Sequence, residues 1–351
     1  MSDFIWDPTT NQTYTSEYGT QDVNTDTINK DPGTSFIMNA PGNKLTLKVE
    51  NVDTVFSWGG PDFAAGPVSE VNIYQGEFHI VALGDTTNLI SERLVIGANL
   101  TTSGSGCLEI ENIPQIHAPY TGYTLNISEE SRAIIKDSYQ LYILTPITLS
   151  DRATLEIYAG TLRLGYKENI ISSTPKTLDG YSLIFSSRGL SPEFTAVSYV
   201  SISNLTLCKN SRTKIANGWI GGDHATGVIT PEIKVKDNAQ LHIETDYYTI
   251  SQLVIGAGSP KITISPYNGE FTFDLIKGTY RNKGLFNFIT NNNICNGTLT
   301  ISTNNNTSFG IAYMIAKEMI YIDGMPVHLQ NDYEIDFRVK PGYLTIKIKH
   351  K

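Results

Sequence analysis

The sequence predicts an all-β protein built as a β-solenoid, and two observations support this. Short triplets with an apolar residue at each end recur from about residue 44 to the C-terminus, for example Leu125-Asn126-Ile127 and Leu155-Glu156-Ile157. Because side chains alternate faces along a strand, each triplet puts two apolar residues on one face. Strong triplets also return at spacings such as 26 residues (45 to 71) and 28 residues (155 to 183), which is typical of stacked supersecondary units.

The apolar triplet positions are predicted to form one continuous core. No single turn of such a chain can bury its apolar face alone, whereas stacked turns can. The alternative fold is a β-sandwich or jelly roll, which also has short strands separated by turns. The residues predicted to be buried on one inner surface are Leu125, Ile127, Leu155, Ile157, Leu183 and Leu205.

Composition excludes several classes of partner. Charged residues make up 17% of the 351 residues, below the ~25% usual in soluble domains. The net charge of −9 and the lack of a basic domain disfavour a nucleic-acid partner. No apolar run approaches the ~20 residues of a membrane helix, so no membrane span is predicted. The N-terminus shows no basic start followed by an apolar stretch, so no secretory leader is visible.

Residues 1–40 are predicted to form an extended acidic N-terminal arm, because strand alternation is scarce there. The first 35 residues hold six acids and one base, Lys30. Phe4, Ile5 and Trp6 are apolar anchors that a plain linker would lack. We expect them to add to a neighbouring molecule as an extra strand.

Residues 41–310 are the predicted solenoid. They contain several short sequence segments of similar pattern, and these segments carry a family resemblance. The segments are Ser131-Arg132-Ala133-Ile134-Ile135, Asp151-Arg152-Ala153-Thr154-Leu155-Glu156-Ile157 and Asp237-Asn238-Ala239-Gln240-Leu241-His242-Ile243. This pattern resembles the right-handed parallel β-helix of autotransporter passengers and filamentous-haemagglutinin-type adhesins. The resemblance implies a right-handed parallel β-helix in a surface protein with an adhesive role.

Residues 311–351 are predicted to cap the C-terminal end of the solenoid with strands and hairpins. Residues 311–319 suit a short helix, and a strand fits them almost as well. The turn dipeptides Asp323-Gly324 and Pro341-Gly342 separate strand patterns. The predicted strands are 320–322, 327–329, 333–339 and 344–349.

No motif assigns catalytic chemistry to the chain. There is no Gly-x-Ser-x-Gly elbow, no phosphate-binding glycine loop and no His-Glu-x-x-His. The three cysteines, Cys107, Cys208 and Cys295, give no complete disulfide framework and are interpreted as small, buried hydrophobic residues. No Cys-x-x-Cys or paired-His spacing suggests zinc, so neither a metal site nor a cofactor is predicted.

A few residues are weak functional candidates. Asp223 and His224 could form an acid/base pair, and the nearby Trp219 could stack on a sugar ring, although a Gly-Gly-Asp turn explains the same residues. Asp151 is the other catalytic candidate. It stands with Arg152 and Glu156, but these three could not all face one way on a strand. Enzyme activity therefore stays open, and a protein without it is favoured.

The predicted function is structural or adhesive, in a bacterial surface protein, an extracellular filament or a phage-tail-type assembly. We expect an extracellular or cell-surface location, with a virion or the cytoplasm as alternatives. The alternative functions are a carbohydrate-active lyase or hydrolase and a sugar-binding module. The predicted partner is a second copy bound head-to-tail, or a surface glycan or protein.

The two ends of the chain motivate the head-to-tail prediction. From Arg338 onward the chain carries five bases and no acid, so opposite charges at opposite ends would favour end-to-end encounter. Lys347 and Lys349 are the assembly candidates at this end. They alternate with isoleucines, however, and lysines on an edge strand also guard against association.

Overall fold

The computed structural model of this chain divides into two compact units. The first comprises Met1–Tyr166, Thr174–Thr177 and Tyr181–Ala196, and the second Lys167–Ser173, Leu178–Gly180 and Val197–Lys351. The residues that the structure describes are 2–50, 55–61, 67–83, 94–120, 122–164, 182–187, 200–202, 204–216, 219–221, 232–244, 247–249, 252–266, 283–292, 294–302, 307–340 and 342–351.

The described part of the first unit consists of short and medium strands with one 3-10 turn, Ser16–Tyr18. The strands are β1 Gln12–Thr15, β2 Gln21–Thr25, β3 Ser35–Val49, β4 Phe56–Gly59, β5 Glu70–Ala82, β6 Leu94–Gly97, β7 Asn99–Glu111, β8 Gln115–Ala118, β9 Leu125–Ile127, β10 Arg132–Ile143, β11 Ile147–Leu149, β12 Thr154–Leu164 and β13 Ser182–Ser187.

Parallel pairing places β3, β5, β7, β10, β12 and β13 side by side in the first unit. One register position of this row holds four apolar residues, Leu45, Phe78, Leu108 and Ala133. None of these side chains is more than 4% exposed. Because side chains alternate along a strand, one face of the row forms the core and the other carries polar side chains.

An aromatic cluster joins the N-terminal segment to this row. Trp6 stacks on Phe78 with ring centroids 5.9 Å apart and lies 5.1 Å from Phe36. Trp58 stacks on Phe78 with centroids 6.5 Å apart, and its Nε1 donates a hydrogen bond of 2.8 Å to the carbonyl oxygen of Ile28. Phe36, Phe78 and Trp58 are fully buried, so the cluster is part of the core.

The one base of the N-terminal segment, Lys30, is buried beneath it, with 1% of its surface exposed. Its Nζ donates hydrogen bonds of 2.7 and 2.8 Å to the carbonyl oxygens of Asp7 and Thr10, and one of 3.0 Å to Gln12 Oε1. The ammonium also lies 4.8 Å from the Trp6 ring centroid, within cation–π range. Lys30 therefore fixes residues 7–12 to the body of the unit.

The pH dependence of stability should report this buried ammonium. Burial lowers the pKa of Lys30 from 10.5 to about 8, against the charges of Asp7 and Asp31 that raise it. Between these values the unfolded chain binds more protons than the folded one, so Lys30 makes folding more favourable as the pH rises. Urea unfolding measures the free energy of unfolding of the wild type and of Lys30→Met across this pH window. As the pH rises, the stability of the wild type should increase relative to that of the variant. If the difference in free energy of unfolding stayed constant with pH, the lowered pKa of Lys30 would be contradicted.

The described part of the second unit adds one helix, α1 Thr307–Ala316, and a 3-10 turn, Val327–Leu329. Its strands are β14 Val200–Ile202, β15 Asn204–Leu207, β16 Arg212–Ala216, β17 Trp219–Gly221, β18 Glu232–Asp237, β19 Gln240–Glu244, β20 Tyr247–Thr249, β21 Gln252–Gly258, β22 Lys261–Ser265, β23 Phe286–Phe288, β24 Thr298–Ser302, β25 Ile320–Ile322, β26 Met325–Pro326, β27 Tyr333–Lys340 and β28 Tyr343–His350.

The described part of the second unit has a short parallel row of β14, β17 and β20 and two longer ones. One contains β15, β18, β21, β23 and β25, and the other contains β16, β19, β22 and β24. The second row ends in a hairpin, because β28 pairs antiparallel with β24 and β27 pairs antiparallel with β28. The hairpin thereby extends the sheet beyond β24.

The right-handed parallel β-helix predicted for this chain is wrong. The strands form a curled parallel sheet of eight strands, shaped like half a barrel, together with mixed sheets, and the alternative jelly roll is not shown either. Antiparallel pairs occur at β24–β28, β27–β28 and β25–β26. The apolar triplets indicate which face of a strand is buried, but the connections decide how the strands wind, and the triplets carry no information on those.

Several local predictions are confirmed. Leu125, Ile127, Leu155, Ile157 and Leu205 are all buried, while the side chain of Leu183 lies outside the described residues. That these residues share one inner surface stays a prediction. The helix predicted at 311–319 is present as α1, displaced by a few residues towards the N-terminus. The strand predicted at 327–329 is instead a 3-10 turn. The division of the chain at residues 40 and 310 stays a prediction.

The three cysteines lie in the described part of the chain, and each is a thiol. Cys208 is buried, as predicted, whereas Cys107 and Cys295 are half-buried.

Candidate ligand-binding groove

Four neighbouring strands of the second unit, β22, β24, β28 and β27, form the floor of a groove. Thr263 of β22 faces Thr300 of β24, which faces Thr345 of β28, and Arg338 of β27 completes the line. The residues on either side of each threonine point to the opposite face and are buried. They are Ile262, Ile264, Leu299, Ile301, Leu344 and Ile346. The apolar alternation of these strands therefore turns the hydroxyl groups outward.

The groove encloses a volume of about 460 Å³. It is lined by hydroxyl groups, basic side chains and one aromatic ring. The lining residues are Lys261, Ile262, Thr263, Thr298, Thr300, Arg338, Lys340, Tyr343, Thr345 and Lys347. Thr300 Oγ1 and Thr345 Oγ1 lie 3.3 Å apart, so hydroxyls on adjacent strands form a continuous polar strip. Each hydroxyl can both donate and accept a hydrogen bond.

The groove is strongly cationic, although the chain carries a net charge of −9. Four bases and no acid line it: Lys261, Arg338, Lys340 and Lys347. Within the described part of the chain, none of these four has an acidic partner within the 4.0 Å of an ion pair; the nearby Asp336 pairs instead with Lys349, at 3.5 Å. Their charges therefore remain available to an anionic ligand.

Strand β19, which borders β22, does not offset this charge. Burial lowers the pKa of His242, so its imidazole is neutral at pH 7, and its Nε2 lies 2.9 Å from Ser265 Oγ. The carboxylate of Glu244 is paired with Lys214 at 2.9 Å. Together with Lys214, strand β19 therefore adds no net charge beside the groove, and the positive charge comes from the groove's own lining.

The lining suits binding better than hydrolysis. It contains no carboxylate, imidazole or thiol among the described residues. Glycoside hydrolysis usually requires a pair of carboxylates, and imidazole and carboxyl groups are the commonest general acids and bases. Tyr343, half of whose surface is exposed, offers an apolar ring face with a polar tip. The arrangement can hold an anionic, hydroxyl-rich ligand.

The predicted assembly residues are divided between buried and exposed positions. Phe4 and Trp6 are each 6% exposed, whereas Ile5 is 77% exposed. Two of the three anchors thus pack within the first unit, and their addition to a neighbouring molecule stays a prediction. Lys347 and Lys349 are both exposed on β28, and Lys347 lines the groove.

The weak catalytic candidates are not brought together among the described residues. Asp151 lies in the turn before β12, where its Oδ2 accepts hydrogen bonds from the backbone N–H of Glu129 at 3.2 Å and from Ser150 Oγ at 3.0 Å. Trp219 belongs to β17, where its backbone is paired in register with that of Tyr247 in β20. Asp223 and His224 lie outside the described residues.

Sequence reasoning missed the groove, although a signal for it was present. Each of its three central strands carries a threonine between two apolar residues, at 263, 300 and 345. The alternation predicted the buried face of these strands and therefore implied outward threonines. Their convergence depends on the pairing of β24 with β28, which joins residues 45 positions apart (300 to 345).

Comparisons with protein-family models, curated proteins and solved structures give no match for this chain. Among the described residues, no helix has the length and apolar character needed to span a membrane.

Proposed function

We propose that this chain is an adhesive binding protein that holds an acidic glycan in the groove of its second unit. The observation that carries the proposal is the lining of four bases, four threonines and one tyrosine without an acid. Cations bind carboxylate or sulfate groups, hydroxyls exchange hydrogen bonds with sugar hydroxyls, and the tyrosine ring covers an apolar sugar face. An extracellular or cell-surface location belongs to this proposal.

A glycan fits the groove better than a nucleic acid, the other common polyanion. Nucleic-acid affinity comes mainly from a broad basic surface that neutralises many phosphates. Here only four bases line the groove, in a chain with a net charge of −9, and four cations do not provide such a surface. Threonine hydroxyls at three consecutive strands match a ligand that carries hydroxyls along its length.

Binding of defined polymers to the full-length chain tests the proposal. We expect polygalacturonate or heparin to bind, with an affinity that falls as salt rises, and uncharged dextran not to bind. Isothermal titration calorimetry measures each affinity, with single-stranded DNA as the competing polyanion. Failure of both acidic polysaccharides to bind would overturn the proposal. DNA binding tighter than either of them would assign the groove to nucleic acid instead.

A further inference from the structure

The outer face of the first unit gathers five side chains of metal-ligand type on two adjacent strands. The parallel register of β5 and β7 pairs Glu77 with Cys107 and His79 with Glu109, and Glu111 follows two residues later. Their inward neighbours Phe78, Ile80, Leu108 and Ile110 are buried, so alternation turns all five towards the other face. Glu-x-His on one strand therefore lies beside Cys-x-Glu-x-Glu on the next.

The ligand atoms of this cluster converge. The carboxylate oxygens of Glu77 and Glu109 and the imidazole nitrogen of His79 all lie within 4.8 Å of one another. A third carboxylate approaches the same imidazole, with His79 Nε2 3.0 Å from Glu111 Oε2. The side chains of His79 and Glu109 are only 12% and 14% exposed, so a bound ion would be largely shielded from water.

We propose that Glu77, His79 and Glu109 form a binding site for a zinc-type divalent transition metal, with Glu111 beside it as a further oxygen donor. One nitrogen and two or three carboxylate oxygens make a ligand set that zinc uses, at metal–ligand distances of about 2.0–2.2 Å. Imidazole suits zinc and its neighbours in the series, whereas calcium and magnesium take oxygen ligands.

Two lysines form ion pairs with these carboxylates. Lys44 contacts Glu77, and Lys136 Nζ lies 2.7 Å from Glu109 Oε1 and 3.2 Å from Glu111 Oε2. Burial acts to raise the pKa of Glu109, but the hydrogen bond from Lys136 and the nearby positive charges lower it below its usual value. A metal must displace the ammonium groups, so the lysines should weaken its binding.

Cys107 stands at the edge of the cluster, opposite Glu77. Burial, followed by the charge of Glu77, raises its pKa to about 11, so the thiol is protonated at neutral pH. Replacing Cys107 with serine removes thiol coordination as an explanation of any binding. In the unmodified chain, the visible spectrum with Co²⁺ bound distinguishes a thiolate ligand from an all-nitrogen-and-oxygen set.

The test is a calorimetric titration of Zn²⁺ into the full-length Cys107→Ser protein. We expect one ion per chain, at least 10-fold weaker binding in His79→Gln and in Glu109→Gln, and no binding of Ca²⁺. His242→Gln is the matched control, because His242 Nε2 has one carboxylate, Glu244, at 3.7 Å and lies in the other unit. Circular dichroism without metal checks that each variant is folded.

A lysine variant distinguishes a metal site from a simple ion-pair network. Lys136→Met removes a competitor and one positive charge, so it should tighten Zn²⁺ binding, by about 10-fold, the lower end of the ~10–100-fold effects of groups adjacent to a metal. The proposal is overturned if the Cys107→Ser protein binds no Zn²⁺, if His79→Gln and Glu109→Gln bind as tightly as the parent, or if Lys136→Met weakens binding.

Discussion

Replacing Trp58 with alanine is expected to destabilise the first unit by about 3–5 kcal/mol, the usual cost of removing a large aromatic side chain from a core. Trp58 has no exposed surface and stacks on Phe78. The substitution also leaves the carbonyl oxygen of Ile28 without its hydrogen bond from the indole, which adds about 1–3 kcal/mol if no water replaces it. Urea unfolding followed by circular dichroism measures the loss.

Two further variants make this result specific to Trp58. Trp58→Phe keeps much of the ring but loses the hydrogen bond to Ile28, so its cost should be intermediate. Tyr74→Ala removes an aromatic ring from β5 that is 39% exposed, and it should cost about 0.5 kcal/mol or less. If Trp58→Ala cost no more than Tyr74→Ala, the aromatic cluster would not be an anchor of the first unit.

Reversing three charges in the groove is expected to weaken binding of an acidic glycan by about 100-fold. Each of Lys261, Arg338 and Lys340 is exposed, and an exposed charge pair contributes roughly 1 kcal/mol at most. Three lost contacts, together with new repulsion, amount to roughly 3 kcal/mol, which corresponds to about 100-fold in affinity. The triple substitution to glutamate is measured by calorimetry with the same polysaccharides.

The control is a triple reversal of equal charge outside the groove. Lys234, Lys236 and Lys317 are exposed cations of the same unit that do not line the groove. Their substitution by glutamate changes the net charge equally, so it should reduce affinity only through the long-range field. Equal losses of affinity in the two triple variants would mean that glycan binding depends on net charge rather than on the groove.

The sequence allowed the buried face of most strands to be predicted but not their arrangement. In Leu155-Glu156-Ile157 the alternation of apolar and polar residues is local, and Leu155 and Ile157 are buried as expected. The winding of the sheet depends on connections and on pairs such as β24 with β28, which no local pattern encodes. This is why most strand positions were predicted correctly, with 327–329 as an exception, whereas the right-handed β-helix was wrong.

The candidate sites escaped prediction for the same reason. Thr300 and Thr345 meet only because β24 and β28 pair, and His79 meets Glu109 only through the register of β5 with β7. The acidic N-terminal segment shows a related limit. Its scarce strand alternation predicted an extended arm and gave no sign that Lys30 and Trp6 would be buried.

The three thiols allow the opening of each unit to be followed separately by chemical labelling. Thiol reagents attack the thiolate, and burial raises the pKa of Cys107 to about 11 and also raises that of Cys295. A maleimide pulse at neutral pH should therefore modify the native protein slowly and record each moment at which the surrounding strands separate. Since Cys107 belongs to the first unit and Cys208 and Cys295 to the second, mass spectrometry of the labelled peptides would time the opening of both units in one sample.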